Sequence, residues 1–348
     1  MAEEGPVLSI QPLSCLVDEK TEVEVKLLPA DYKITLHALI HSEDGVDWEA
    51  FGRYTSDSSG TVKVSRDKSL GGTFEGVEAM GLLWSMRPVP ERHLAKGFKH
   101  RTPLTTATAE RWYLAPEVQR VEVTKGEIKG TLFIPPGSGP FPAVLDLWGG
   151  QGGRVEYCSA LLASHGYVSL ALEYVGLQNS AGQLQHMDNT YFETAFTFLQ
   201  KHPKVRPDRV AVMGMSFGVP VMLSLAAYSE FVKMGEIKCP ILLIAGEDDQ
   251  NWPAPEAAAD IKKMMEEAGN SHLLTVLSYP GTGHLIEPPY RPHVRFSDFK
   301  LLEAKTKVVV LWGGETIPHS RAQEESWQKT LAFLEEHLYD NSREDAHC

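Results

Sequence analysis

The stretch Val210-Ala211-Val212-Met213-Gly214-Met215-Ser216-Phe217-Gly218 constrains this chain more than any other. An apolar run ends in Gly-x-Ser-x-Gly, and a second apolar run with helical character follows. A strand, a tight turn and a helix in that order lift a serine hydroxyl above the edge of a sheet. Gly214 and Gly218 leave room for the turn. The start of the next helix adds positive partial charge beside it. The five-residue pattern is common by itself. The strand before it and the helix after it make Ser216 a candidate nucleophile rather than an ordinary helix-start serine.

The surrounding sequence has the organisation such a turn needs. From residue 116 onward, strands are expected near 121–123, 130–134, 143–148, 167–173, 209–214, 240–245 and 273–279. Several are continuous apolar runs, as in strands buried on both faces. Helices are expected between them, at 154–164, 187–201, 217–230 and 255–267, with a last one at 321–338. This alternation predicts an α/β domain with a mostly parallel sheet.

A serine hydroxyl needs a base, and in this kind of turn an acid and then a histidine follow in sequence. Pro240-Ile241-Leu242-Leu243-Ile244-Ala245-Gly246-Glu247-Asp248-Asp249 is a strand ending in acids. Tyr279-Pro280-Gly281-Thr282-Gly283-His284 is a strand, a glycine turn and a histidine. Both leave the carboxyl end of a strand, where open sheets build their sites. His284 is therefore the candidate general base. His272, His293 and His319 lack that setting. Asp248 and Asp249 are not separable by pattern: one would orient the imidazole while the other caps the following helix.

An oxyanion needs two N–H donors. One is expected from the Phe217 backbone and the other from the loop Leu147-Trp148-Gly149-Gly150-Gln151-Gly152-Gly153, with Gly150 the candidate. That loop completes neither a Walker A motif nor a dinucleotide fingerprint, so a phosphate cradle is disfavoured. Serine–histidine–acid chemistry requires no metal or organic cofactor, and none is expected.

Residues 1 to about 110 read differently. Alternating strands at 23–27, 33–40, 48–54 and 60–64, with turns at Asp57-Ser58-Ser59-Gly60 and Gly71-Gly72, predict a β-sandwich. The expected division is 1–115 for this domain, 116–340 for the catalytic domain and 341–348 for a flexible tail. The formal charge of −13 disfavours a general nucleic-acid partner. No apolar run is long enough for a membrane span. The four cysteines form no CxxC pair, which suits free thiols in a reducing compartment. The acidic start resembles neither a signal nor a transit peptide, and the chain lacks a Ser-Lys-Leu ending. A cytoplasmic location is the expectation.

Taken together, the chain resembles the family of type-I acyl-CoA thioesterases and bile acid-CoA:amino acid N-acyltransferases, within the α/β-hydrolase superfamily. Gly81-Leu82-Leu83-Trp84-Ser85-Met86 looks like that family's N-terminal domain. Pro140-Phe141-Pro142, Asp146-Leu147-Trp148-Gly149, Gly246-Glu247-Asp248-Asp249-Gln250-Asn251-Trp252 and the long Tyr279-Pro280-Gly281-Thr282-Gly283-His284-Leu285-Ile286-Glu287-Pro288-Pro289-Tyr290 look like its C-terminal domain. The resemblance implies a nucleophile at position 216, Asp249 as the triad acid and His284 as base. It implies an acyl-CoA substrate. Transferring members typically carry cysteine at the nucleophile position, so Ser216 favours hydrolysis to free acid and coenzyme A. The chain also departs from the family. Between Ser216 and Asp249 it has room for one helix and one strand, whereas the family carries a further strand and helices there. Either the acid-bearing strand slides into the vacancy, or strand edges stay open. The alternatives to an active thioesterase are thus an acyl-CoA:amino acid N-acyltransferase or a catalytically impaired shortened isoform in which the residues are present without an assembled triad.

Overall fold

The computed structural model describes residues 5–339 apart from 44, 90–101, 125, 127, 151, 179–183, 185–186, 228–233 and 302–305. The expected tail at 341–348, Gln151 and the end of the helix expected at 217–230 lie outside the described residues. The chain divides into two compact units. One contains Met1–Trp112 with Glu287–His293, and the other contains Tyr113–Ile286 with Val294–Cys348.

The first unit is built from short strands. They are β1 (Val7–Gln11), β2 (Ser14–Leu16), β3 (Glu22–Lys26), β4 (Lys33–His41), β5 (Asp47–Thr55), β6 (Val62–Lys63), β7 (Arg87–Pro88) and β8 (Glu110–Trp112). They form two three-stranded antiparallel sheets, β1-β3-β6 and β4-β5-β7, and a parallel pair, β2-β8. Val25, Leu36, Ala50, Tyr54 and Val62 turn inward from the strands, and Phe74 and Trp84 are buried with them. Trp84 ends the one-turn helix α1 (Gly81–Trp84) and meets Phe74 edge to face. This is the sandwich that the alternating sequence implies.

The second unit carries the α/β architecture. Its strands and helices are β9 (Gln119–Val123), β10 (Gly130–Ile134), β11 (Phe141–Leu147), α2 (Tyr157–Ser164), β12 (Val168–Leu172), α3 (Asn189–Gln200), β13 (Val205–Gly214) and α4 (Gly218–Ala226), followed by β14 (Ile241–Gly246), α5 (Ala254–Glu267), β15 (Leu274–Tyr279), β16 (Phe296–Leu301), β17 (Thr306–Leu311) and α6 (Thr316–Leu338). Five strands make one sheet in the order β13-β11-β12-β10-β9. β11 runs parallel to both neighbours, and β10 runs antiparallel to β9 and β12.

β10 and β12 are buried along their whole length, because both faces of the sheet are covered. On one face Leu132, Leu145 and Leu170 pack with Phe192, Ala195 and Leu199 of α3. On the other, Phe133 and Ala171 pack with Ala160 and Ala163 of α2. Removing apolar surface at these positions contributes roughly 1.5–3 kcal/mol per large side chain.

The sheet stops at β13. The acid-bearing β14 pairs only with β15 among the described residues, parallel and in register from Ile241↔Leu274 to Gly246↔Tyr279. Of the two outcomes open to a shortened chain, the described residues take the one in which strand edges stay unpaired. Side chains bridge the break instead. Leu223 and Ala227, from α4 and its end, are buried with Ile241 and Leu243 of β14 and Met265 of α5. The helix that begins behind Ser216 thus packs against the strand that leads to Asp249.

Candidate active site

The turn between β13 and α4 is tight for identifiable reasons. Ser216 has φ +54°, a left-handed conformation that costs a non-glycine residue on the order of 1–3 kcal/mol. Neighbouring glycines make it possible. A Cβ on Gly214 would lie 2.4 Å from the Gly218 carbonyl oxygen, and one on Gly218 would lie 1.9 Å from the Leu147 oxygen. The Gly218 N–H donates to Met215 O at 2.9 Å, and the Met215 N–H donates to Leu147 O at 3.1 Å. The turn is thereby bonded to the end of β11.

His284 meets Ser216 from above. Its Nε2 lies 2.8 Å from Ser216 Oγ, and its Nδ1 lies 2.7 Å from Asp249 Oδ2. A carboxylate only accepts, so Nδ1 carries the proton and Nε2 is free to accept from the serine. The side chains of His284 and Asp249 are 6% and 4% exposed. The other Asp249 oxygen accepts the N–H groups of Asn251 and Trp252, both at 2.8 Å. The His284 ring stacks on Trp312, with centroids 5.6 Å apart and planes at 16°. The His284 N–H donates to Trp312 O at 2.7 Å.

The two acids, inseparable by pattern, have separate tasks. Asp249 faces His284. Asp248 accepts the Gly314 N–H at 2.8 Å and the Gln250 side-chain amide at 2.7 Å. Neither caps the next helix, which corrects the expectation from sequence. α5 starts after Pro253 without a side-chain cap, and Asp248 instead ties its own turn to the segment before α6.

The glycine loop after β11 lies over the serine. A Cβ on Gly149 would sit 3.3 Å from Ser216 Cβ, and one on Gly150 would sit 3.7 Å from Phe217 Cβ. Tyr174 holds this loop by donating its hydroxyl to Trp148 O at 2.6 Å, and its ring stacks on Phe217. Burial pushes the Tyr174 phenol up, and the nearby Asp146 adds to the effect, so the hydroxyl stays a donor. Sequence pattern gives no place to Tyr174 or Trp312, because nothing in a lone aromatic at a strand end marks it out. His319 lacks the strand-then-glycine setting, yet it is 2% exposed on α6 and bonds to both sides of His284.

Among the described residues, no group of three histidine, cysteine, aspartate or glutamate side chains is placed to hold a metal ion. No helix among them is long and apolar enough to cross a membrane.

Known proteins share both halves of this chain. Residues 18–125 match the model of the acyl-CoA thioester hydrolase/BAAT N-terminal region. Residues 187–234 and 228–340 match the BAAT/acyl-CoA thioester hydrolase C-terminal model, in two pieces that meet between Ser216 and Asp249. The chain is 32% identical to bile acid-CoA:amino acid N-acyltransferase of Mus musculus, over 95% of this chain and 97% of that one. It is 31% identical to peroxisomal succinyl-coenzyme A thioesterase of Mus musculus, over 95% and 96%. It is 29% identical to acyl-coenzyme A thioesterase 1 of Homo sapiens, over 93% and 94%. The first alignment runs over 416 positions, more than the 348 residues of this chain. That relative therefore has residues where this chain has none.

Proposed function

The chain belongs to the acyl-CoA thioester hydrolase/BAAT family, and on that premise we propose that it hydrolyses acyl-CoA thioesters with Ser216 as nucleophile, His284 as general base and Asp249 as the acid that orients it. The observation that carries this reading is the continuous chain of short hydrogen bonds from Asp249 through His284 to Ser216.

Ser216 Oγ attacks the thioester carbonyl carbon while His284 Nε2 takes the hydroxyl proton. The charge that develops on the carbonyl oxygen is met by backbone N–H groups, from Phe217 at the start of α4 and from Gly150 in the glycine loop. When the intermediate collapses, the carbon–sulfur bond breaks and His284 returns its proton to the leaving thiolate. Water then attacks the acyl carbon of the Ser216 ester while His284 takes one of its protons. The carbon–Oγ bond breaks as His284 returns that proton to Ser216 Oγ, and the free acid leaves. Asp249 holds the imidazole in the tautomer these steps need and stabilises it while it is charged.

An oxygen ester at position 216 is a poorer acyl donor to an amine than a thioester, so water is the favoured acceptor. The N-acyltransferase relative keeps transfer to an amino acid as the second reading. The deciding experiment is release of free coenzyme A from a long-chain acyl-CoA by the purified protein and by its Ser216→Ala variant, with and without glycine or taurine. Turnover lost on substitution, with free acid as product, supports hydrolysis. Accumulation of the amide conjugate supports transfer. No turnover from a cooperatively folded protein removes the enzyme reading. Among the described residues Cys15, Cys158 and Cys239 are not joined in disulfides, which suits the reducing cytoplasm as the place of action.

A further inference from the structure

The loop that carries His284 is gripped by α6. The Glu315 N–H, just before the helix, donates to Gly281 O at 2.8 Å. One turn on, the buried His319 ring lies between Gly283 and Leu285, the two residues that flank His284. Its Nδ1 is 3.1 Å from the Gly283 backbone nitrogen, and its Nε2 is 2.9 Å from Leu285 O. One turn further, the Gln323 side-chain amide donates to Leu285 O at 3.2 Å. An N–H can only donate and a carbonyl can only accept, so the ring must be neutral with its proton on Nε2. Gly283 has no slack on its other side: a Cβ there would lie 2.5 Å from the Gly313 backbone.

We infer that His319 is a positioning residue: as a neutral Nε2–H tautomer it bridges the backbone on both sides of His284 and so fixes the catalytic imidazole over Ser216. This inference rests on the hydrolase reading for its consequence but not for its geometry. His319 does not touch Ser216 or Asp249. It acts by holding a backbone segment of which His284 is the middle residue. Because a misplacement of about 1 Å can slow chemistry by about a hundredfold, losing both bonds should slow acylation and leave substrate binding in place. A leucine at 319 fills the space without either bond. A glutamine reproduces both, since one amide supplies an acceptor and a donor side by side.

The test compares the wild-type chain with His319→Leu and His319→Gln. The far-downfield proton on His284 Nδ1, bonded to Asp249, reports the position of the imidazole by NMR without any turnover. The rate of Ser216 labelling by a fluorophosphonate, with kcat and KM for an acyl-CoA, reports the consequence. His319→Leu is expected to lose or shift the downfield proton and to label about a hundredfold more slowly with KM little changed. His319→Gln is expected to recover most of both. An unshifted proton and wild-type labelling in a folded His319→Leu overturn the inference, as does a loss confined to KM or a glutamine variant no better than the leucine one. Should His319→Leu fail to fold, the ring-nitrogen shifts of wild-type His319 decide. The Nε2–H tautomer is required, and the other tautomer or a charged ring overturns it. A wild-type chain that shows the expected tautomer and downfield proton without turnover would remove the hydrolase reading and leave the positioning one standing.

Discussion

His284 Nε2 lies 2.8 Å from Ser216 Oγ although the strands leading to the two residues belong to separate sheets. β13 is the edge of five strands, while β15 pairs only with β14 among the described residues. The geometry of the pair is set by other means. Leu223 of α4 is buried against Ile241 and Leu243 of β14, the Trp312 carbonyl receives the His284 N–H, and α6 bonds to both sides of the histidine. A chain can thus lack central-sheet pairing and still bring an imidazole within hydrogen-bond reach of a serine hydroxyl, provided helix packing and loop bonds replace the ladder.

The division of labour between the two acids is testable. Asp249→Asn should keep the fold and lower kcat by about 10⁴-fold, because the amide stabilises the wrong imidazole tautomer. Asp248→Asn should cost little in kcat. It weakens the bond from Gly314, worth about 1 kcal/mol, and should appear in the thermal midpoint. Equal losses of kcat in the two variants would contradict the assignment.

The glycines of the turn and of the loop should respond differently. Gly218→Ala places a Cβ 1.9 Å from Leu147 O, a backbone clash that cannot relax, and should destabilise by at least about 2 kcal/mol. Gly149→Ala meets Ser216 Cβ at 3.3 Å, a contact that a small shift can relieve. It should unfold near the wild-type midpoint but label at Ser216 more slowly. Denaturant unfolding together with fluorophosphonate labelling separates the two effects. A Gly218→Ala protein as stable as wild type would show that the turn is looser than described.

Much of this site is legible in the sequence because its residues sit at strand ends, where period and punctuation agree. Gly214 to Gly218, the acids after Gly246 and the histidine after Gly283 each follow a run of apolar residues. The rest is hidden for physical reasons. Choosing between Asp248 and Asp249 depends on which way two adjacent side chains leave a turn, and both fit the pattern. The β16–β17 hairpin is absent from the strands expected by pattern. Phe296 and Val309 are each 65% exposed, so this pair is not one of the strands buried on both faces that a continuous apolar run such as Val308-Val309-Val310-Leu311 suggests elsewhere in the chain. His319 is set aside in the sequence because it lacks the strand-then-glycine setting and falls just before the helix expected from 321, whereas that helix starts at Thr316. Its partners at 283 and 285 are over thirty residues away and leave no local signal.

Tyr174 offers a test of the glycine loop. Its hydroxyl is the donor to Trp148 O at 2.6 Å, and the ring is buried against Phe192 and stacks on Phe217. Tyr174→Phe retains the ring contacts and leaves a carbonyl without that donor. The expected cost is about 1–2 kcal/mol in stability, with slower Ser216 labelling as the loop loosens. An unchanged labelling rate would mean that the loop holds its place without the bond.

Asp146 makes the last prediction, and its sign follows from burial. Its side chain lies in the core at the end of β11, 3% exposed, accepting the Ser159 hydroxyl at 2.8 Å. Burial pushes its carboxyl from the usual 3.8 up to about 7, and the bonds from Ser159 offset this only in part. Between about pH 4 and 7 the folded protein therefore keeps a proton that the unfolded chain has already released. Stability from this group is greatest below that window, falls as the pH rises towards 7, and is flat above it. Asp146→Asn is uncharged at every pH and keeps an acceptor for Ser159. The variant should gain on wild type as the pH rises, by on the order of 1.4 kcal/mol for each pH unit that separates the folded and unfolded titrations of the carboxyl. Its advantage at pH 8 should then exceed that at pH 5 by a few kcal/mol. All other titrating groups are common to both proteins and cancel in the comparison. Denaturant midpoints for the pair at pH 5, 6.5 and 8 suffice. A difference that does not change with pH would show that Asp146 titrates alike in both states, and that the buried carboxylate is solvated by something other than Ser159.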